Sequence, residues 1–235
     1  ELFHELHHVY QRQYIKNLIY DNPAEMLTYP ENPENDAIKL YENEVLLNLI
    51  HGDPEKLNEN INLFYTCRNE RKRIIGEKYS NYEKAVESIE GPAMYCEYMY
   101  MDRFSTSISD KAYIQNRFFY SLIESTYGRD ALRSKHLLTG MVQCIMLSRH
   151  YPGWQKEYYS SGSYLNDFFF SKFKPLIAKL PDLTYYKPKA KLFTDIELQK
   201  HQKELNLFNN QNGIRITLNF KTTPDFRGFD PMHAE

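Results

Sequence analysis

The chain has 235 residues, a formal net charge of −2 and a sequence pI of about 6.5, so it lacks the broad basic surface that binds nucleic acid. Its apolar fraction of 42% is sufficient for a substantial core in one or two domains, and it contains no apolar run of about 18 residues that would predict a transmembrane segment. The three cysteines, Cys67, Cys96 and Cys144, are odd in number and widely spaced, which argues against a disulfide framework and against a cysteine-based zinc site.

The first predicted helix covers residues 3–21 and carries the letters HELHH at residues 4–8. Read as His4-Glu5-x-x-His8, this is the H-E-x-x-H zinc signature. Because an α-helix turns once in about 3.6 residues, His4 and His8 lie on one face and can bind the same metal ion. Glu5 lies one step around the helix, where its carboxylate can take a proton from a zinc-bound water of pKa about 7. The alternative is a histidine-rich helix end that faces solvent or lies in a satisfied core.

A proline-containing loop is predicted over residues 22–36, followed by a helix from Asp36, a good N-cap residue, to Ile50. Glu42 lies on or beside the apolar face of that helix. A carboxylate there is costly to bury unless it is paired or bound to a metal. Glu42 is therefore either a solvated residue at the edge of the apolar face or a candidate metal ligand.

The helix predicted over residues 54–79 carries three arginines, Arg68, Arg71 and Arg73. Guanidinium groups pair well with carboxylates, either on neighbouring helices or on a substrate. We expect structural pairing with neighbouring helices.

The next predicted helix places Glu83, Glu87 and Glu90 at positions i, i+4 and i+7, which is one face. Like charges on one face repel each other and are best tolerated near a cation. Gly91 follows directly and permits close approach of another backbone, whereas Pro92 removes a hydrogen-bond donor. This stretch is therefore unusual for a plain surface helix.

Further elements complete the predicted chain. Helices are predicted over residues 82–97, 110–127, 129–151, 158–173 and 193–208, with an irregular segment at 174–188. Gly140 lies in the most apolar of these helices and would let a neighbouring helix pack closely. Residues 214–220 alternate apolar and polar side chains and predict a strand, which needs partners. We expect those partners upstream of residue 1, in a part of the protein that precedes this chain.

The HELHH letters at residues 4–8, Glu42 in an internal helix and the letters EGPAMY at residues 90–95 together resemble the gluzincin-type zinc metallopeptidases, in particular poorly characterised members with an E-G-x-A-x-Y segment. The resemblance implies Zn²⁺ as the cofactor, a peptide or protein as the substrate, and a small upstream sheet above a mostly helical subdomain. It implies His4, His8 and Glu90 as ligands and Glu5 as the base.

Glu42 is the alternative third ligand, because its distance from the first motif is nearer to that of compact gluzincins. Whichever of Glu42 and Glu90 is not a ligand is expected to orient a ligand histidine. Tyr95 and His136 are candidates for stabilising the oxyanion that forms during amide hydrolysis.

The predicted fold class is mainly α, a zincin-like helical subdomain with one small β element. Residues 1–208 are predicted to form the metallopeptidase-like catalytic domain, and residues 209–235 are predicted to form a strand and closing loop that pack on it.

Two other functions remain open from the sequence. Glu1-x-x-His4 and Glu5-x-x-His8 have the spacing of di-iron carboxylate bundles, although both copies lie on one helix. The chain could also be a non-catalytic binding module on a metallopeptidase scaffold. The compartment and the oligomeric state are left open.

Overall fold

The computed structural model of the chain describes residues 1–15, 19–123 and 129–213. Its helices are α1 (Leu2–Tyr14), α2 (Pro23–Leu27), α3 (Pro33–His51), α4 (Leu57–Ile75), α5 (Glu77–Phe104), α6 (Ile108–Ile114), α7 (Ser121–Ile123), α8 (Arg129–His150), α9 (Trp154–Ser161), α10 (Leu165–Phe173) and α11 (Lys187–Asn210), with a 3₁₀ turn at Pro54–Lys56 and a π-helical segment at Gln115–Tyr120. The described residues contain no strand, and the prediction of a mainly α fold is confirmed for them.

Helices α5 and α8 lie against each other at the centre of the fold, with α1 and α4 packed on α5, α3 on α8, and α10 on both. The two central helices meet at Gly91 and Gly140. A Cβ atom added to Gly91 would lie 2.6 Å from the Cα of Gly140, and one added to Gly140 would lie 2.7 Å from the carbonyl oxygen of Glu87. The close backbone approach predicted for both glycines is therefore confirmed. The backbone that each glycine lets approach is that of the helix carrying the other glycine.

Helix α5 runs through Pro92 without interruption over 28 residues. Proline has no N–H, so the carbonyl of Ser88, four residues earlier, loses its intrahelical donor. The hydroxyl of Tyr158 donates to that carbonyl at 3.4 Å. The freed group thus has a partner, which removes part of the cost of an internal proline.

Several helix ends differ from the predicted ones. Helix α1 ends at Tyr14, and the cap of α3 is Asn32, whose side chain accepts hydrogen bonds from the backbone N–H groups of residues 34 and 35. Asp36 thus lies inside α3 and is not its cap. Gly76, with φ of 86°, separates α4 from α5 in a conformation that other residues rarely adopt.

The largest apolar cluster is built mainly from α3, α4, α8 and α10, with further members from the segment α6–α7 and from α9. Among its most buried members are Leu46, Phe64, Met141 and Phe169. No helix in the described ranges combines the length and the apolar character needed to cross a membrane. The predicted strand at 214–220 lies outside the described residues.

Candidate metal centre

The side chains of His4, His8 and Glu90 converge where α1 crosses α5. The Nε2 atoms of the two histidines are 3.1 Å apart, and the Oε2 atom of Glu90 lies 3.1 Å from the first and 3.3 Å from the second. Within residues 1–15, 19–123 and 129–213, this is the one group of three His, Cys, Asp or Glu side chains whose ligand atoms all lie within 4.8 Å of one another. The convergence depends on the one-turn spacing of the histidines and on the packing of α1 against α5.

The distances among these three atoms fit a tetrahedral zinc site. Zinc binds imidazole nitrogen and carboxylate oxygen at about 2.0–2.2 Å, which places adjacent ligands of a tetrahedron about 3.3–3.6 Å apart. The observed separations of 3.1–3.3 Å are close to that edge length. The three side chains keep 12%, 13% and 9% of their surface exposed, so water can reach the cluster. Three protein ligands with access for water are typical of a catalytic zinc site.

Gln11 fixes the orientation and the tautomer of His8. The amide Nε2 of Gln11 donates to the carbonyl of Ile89 at 2.9 Å, which leaves its Oε1 facing the Nδ1 of His8 at 2.8 Å. An oxygen at this position requires a proton on Nδ1. When His8 is neutral, its Nε2 therefore presents a lone pair to the cluster, whereas the protonated ring donates a hydrogen bond from Nε2 to Glu90. Gln11 is 1% exposed, which makes this arrangement well protected from water.

Glu90 is held in its charged form by its neighbours. Burial by itself raises the pKa of this carboxyl, but hydrogen bonds from His4 and His8 and the charge of Arg133 together hold the pKa well below its usual range. The Nη2 of Arg133 lies 2.5 Å from Oε1 of Glu90, whereas Oε2 faces the histidines. Glu90 therefore offers one oxygen of a full carboxylate to the cluster.

Glu5 is exposed on α1, one residue beyond His4. Hydrogen bonds to Glu90 and Gln11 raise the pKa of His8 against the effect of burial, and the charge of Glu5 adds to this. The carboxylate of Glu5 thus lies close enough to influence the His8 ring without joining the cluster.

The third histidine of the HELHH letters points elsewhere. The Nδ1 of His7 lies 3.2 Å from the Sγ of Cys96, and the hydroxyl of Tyr159 lies 2.8 Å from its Nε2. Burial, with the charges of His8 and His4, lowers the pKa of His7 to about 4, so its ring is neutral at physiological pH. The sequence contained no signal for this pairing, because both partners are distant in the chain.

Glu42 lies in a separate buried ion network formed by Lys39, Glu42, Arg68, Arg71, Glu83, Glu87 and His136. Its oxygens lie 2.9 Å from Lys39, 3.0 Å from Arg68 and 3.1 Å from Arg71. Burial raises its pKa, but these three cations more than offset burial and lower the pKa to about 2. The expectation that Glu42 could complete the metal site is corrected, because its charge is already compensated by the network. The structural pairing expected for Arg68 and Arg71 is confirmed.

The two oxyanion candidates also need correction. His136 is fully buried in the ion network, with its Nδ1 3.0 Å from Glu87. The hydroxyl of Tyr95 donates to Ser148 on α8 at 2.7 Å. Both side chains are thus engaged in contacts between α5 and α8, and neither belongs to the cluster of His4, His8 and Glu90.

Comparison with models of protein families, with curated proteins and with solved structures finds no match. The geometry of the cluster and the H-E-x-x-H motif are therefore the features that indicate a function.

Proposed function

We propose that the protein is a zinc-dependent metallopeptidase whose centre is formed by His4, His8 and Glu90. The observation that carries the proposal is that three ligand atoms lie 3.1–3.3 Å from one another. Among the carboxylates of the described residues, Glu90 is the one grouped with both histidines within ligand distance, so it is the best third ligand.

Each residue has a distinct role in this proposal. His4, His8 and Glu90 bind the ion, and Gln11 holds the His8 ring with its Nε2 free. Zinc bound there supplies a Lewis acid that acidifies water and polarises a peptide carbonyl. Glu5 takes a proton from the attacking water and delivers it to the leaving amine. Its side chain is exposed on α1.

A two-metal carboxylate site is less favoured by the geometry. The carboxylates that could supply further oxygens, Glu42, Glu83 and Glu87, are ion-paired with Arg68 and Arg71 in the buried network. Two bound metal ions would need at least one of these carboxylates to leave a cation unpaired, which is costly in a buried site.

The test of the metal site is the zinc content of the purified protein. Wild type is expected to hold one zinc ion per chain, and His8→Ala and Glu90→Gln are expected to lose it. His150→Ala is the matched control, since this exposed histidine contacts Phe173 and not the cluster. Equal zinc in wild type and His8→Ala would overturn the ligand assignment.

The test of catalysis is Glu5→Gln, assayed by the new N-termini released from a peptide mixture of random sequence. The variant should keep its zinc and lose about 10²–10⁴-fold in cleavage rate, the usual contribution of a general base. Glu55→Gln is the control, because Glu55 is also an exposed glutamate. A wild type that binds zinc and cleaves no peptide would contradict the peptidase proposal and favour the non-catalytic scaffold.

A further inference from the structure

The guanidinium of Arg133 lies between two carboxylates at the edge of the candidate metal centre. Its Nη2 is 2.5 Å from Oε1 of Glu90, and its Nη1 contacts Oδ2 of Asp21. Arg133 comes from α8 and Asp21 from the segment before α2, so two further elements reach the third ligand of the cluster.

In this arrangement the two carboxylate oxygens of Glu90 have different partners. One oxygen is engaged by Arg133, and the other lies 3.1 Å and 3.3 Å from the histidine nitrogens. A carboxylate that is free to rotate can bind a metal through both oxygens, which would occupy the position that a catalytic site keeps open. A guanidinium that binds Oε1 opposes this rotation because its donors have a fixed planar geometry.

Asp21 balances the charge of Arg133. A guanidinium next to a metal ligand would by itself reduce the negative charge available to the cation. Since Asp21 contacts the other side of the same guanidinium, Arg133 can orient Glu90 while much of its charge is compensated. The side chain of Asp21 is 14% exposed and that of Arg133 is 40% exposed, so the pair lies at the border between the cluster and solvent.

We propose that Arg133 is a positioning residue that keeps Glu90 a one-oxygen ligand, and that Asp21 holds Arg133 in place. This inference depends on the proposed metal centre. It assigns to α8 and to the segment at Asp21 a role in setting the coordination of the ion.

The chain offers a matched control on the same helix. Glu97 lies seven residues after Glu90 on α5, and Arg117 contacts it at 2.6 Å with a side-chain exposure of 32%, similar to that of Arg133. Arg117→Gln therefore removes an equivalent arginine–glutamate contact that does not involve the cluster. Any general effect of breaking such a contact on α5 should appear in both variants.

The experiment measures the zinc dissociation constant by competition with a chelator for wild type, Arg133→Gln, Arg133→Lys, Asp21→Asn and Arg117→Gln. The visible absorption of the Co²⁺-substituted proteins reports coordination number, since four-coordinate Co²⁺ absorbs more strongly than five-coordinate Co²⁺. Loss of an outer contact to a ligand typically weakens metal binding by about 10–100-fold. We expect this loss in Arg133→Gln, a smaller one in Arg133→Lys and Asp21→Asn, and none in Arg117→Gln. The Co²⁺ absorption of Arg133→Gln should weaken, as expected for a two-oxygen carboxylate.

The outcomes separate this inference from the proposed function. If wild type and Arg117→Gln bind zinc and Arg133→Gln has the same dissociation constant and the same Co²⁺ spectrum, the positioning role is wrong and the metal centre stands. If wild type binds no zinc, both proposals fail. If Arg133→Gln does not fold, Arg133→Lys and Asp21→Asn decide the question by the same two measurements.

Discussion

Replacing Gly91 with alanine should force the two central helices apart. The added methyl would lie 2.6 Å from the Cα and 2.7 Å from the carbonyl carbon of Gly140, whereas carbon atoms in ordinary contact are about 3.5–4.0 Å apart. Both neighbours are backbone atoms and cannot rotate away. Helices α5 and α8 would therefore have to separate by about 1 Å at this point.

The magnitude follows from two opposing effects. Overpacking of a well-packed interior costs about 1–3 kcal/mol, and a clash with backbone belongs at the upper end of that range. Alanine gains about 1 kcal/mol over glycine in a helix interior. The net loss in the free energy of unfolding is therefore about 2 kcal/mol, which lowers the melting temperature by about 4–8 °C for a chain of this length.

The assay is thermal and urea unfolding of wild type, Gly91→Ala, Gly140→Ala and the double variant. Gly213→Ala is the control, because among the described residues no atom beyond its chain neighbours lies within 4 Å of its added methyl. The double variant should lose less than the sum of the single losses, since the helices separate only once. A Gly91→Ala protein as stable as Gly213→Ala would refute the close-approach argument.

Three further predictions concern buried polar groups. Burial raises the pKa of Asp36 to about 6, above its unfolded value of about 3.9, so the wild-type protein loses stability as the pH rises between these two values. The variant Asp36→Asn can keep the hydrogen bond to Thr194, and urea unfolding should show it to be more stable than wild type by about 1–3 kcal/mol at pH 7 and equally stable near pH 4. A variant that is less stable than wild type at pH 7 would contradict this prediction. Glu42→Gln should lose about 3–5 kcal/mol at pH 7 in the same assay. Since the folded pKa of Glu42 is lowered to about 2, the difference should shrink as the pH falls from about 4.5 towards 2, and a constant difference would contradict the ion-pair argument. Gln11→Leu should weaken zinc binding by about 10–100-fold in chelator competition because His8 loses its orienting acceptor, and an unchanged zinc affinity would show that Gln11 does not orient the ring.

Helical periodicity was sufficient to place His4 and His8 on one face and Glu5 beside them. The reason is local: the relative direction of residues i and i+4 is fixed by the geometry of the helix and needs no tertiary contact. The same kind of reasoning placed Gly91 and Gly140 in close contact with other backbones, because glycine in an apolar helix interior is otherwise unfavourable. The mainly helical class followed from the same periodicity.

The ends of the helices were harder to predict from the sequence than the faces of the helices. The predicted cap Asp36 and the observed cap Asn32 are both good N-cap residues, and the choice depends on Pro33, which fits the first helical position. The choice of cap could not be read from local propensity alone. The helix predicted over residues 82–97 already runs through Pro92, but the sequence did not show that Tyr158, from a distant helix, donates to the carbonyl freed there.

The third member of the cluster was decided by packing. Glu83, Glu87 and Glu90 share one face of α5, and the periodicity treats them alike. In the folded chain, the first two face the arginines of α4, whereas Glu90 faces α1 and its histidines. The contact of Arg133 with Glu90 likewise joins residues 43 positions apart, and Gln11, three residues after His8, is itself held by the carbonyl of Ile89 on α5. Chain geometry within a helix is determined by neighbouring residues, but the partner of each buried charge depends on which helix packs against it, and that is a property of the whole fold.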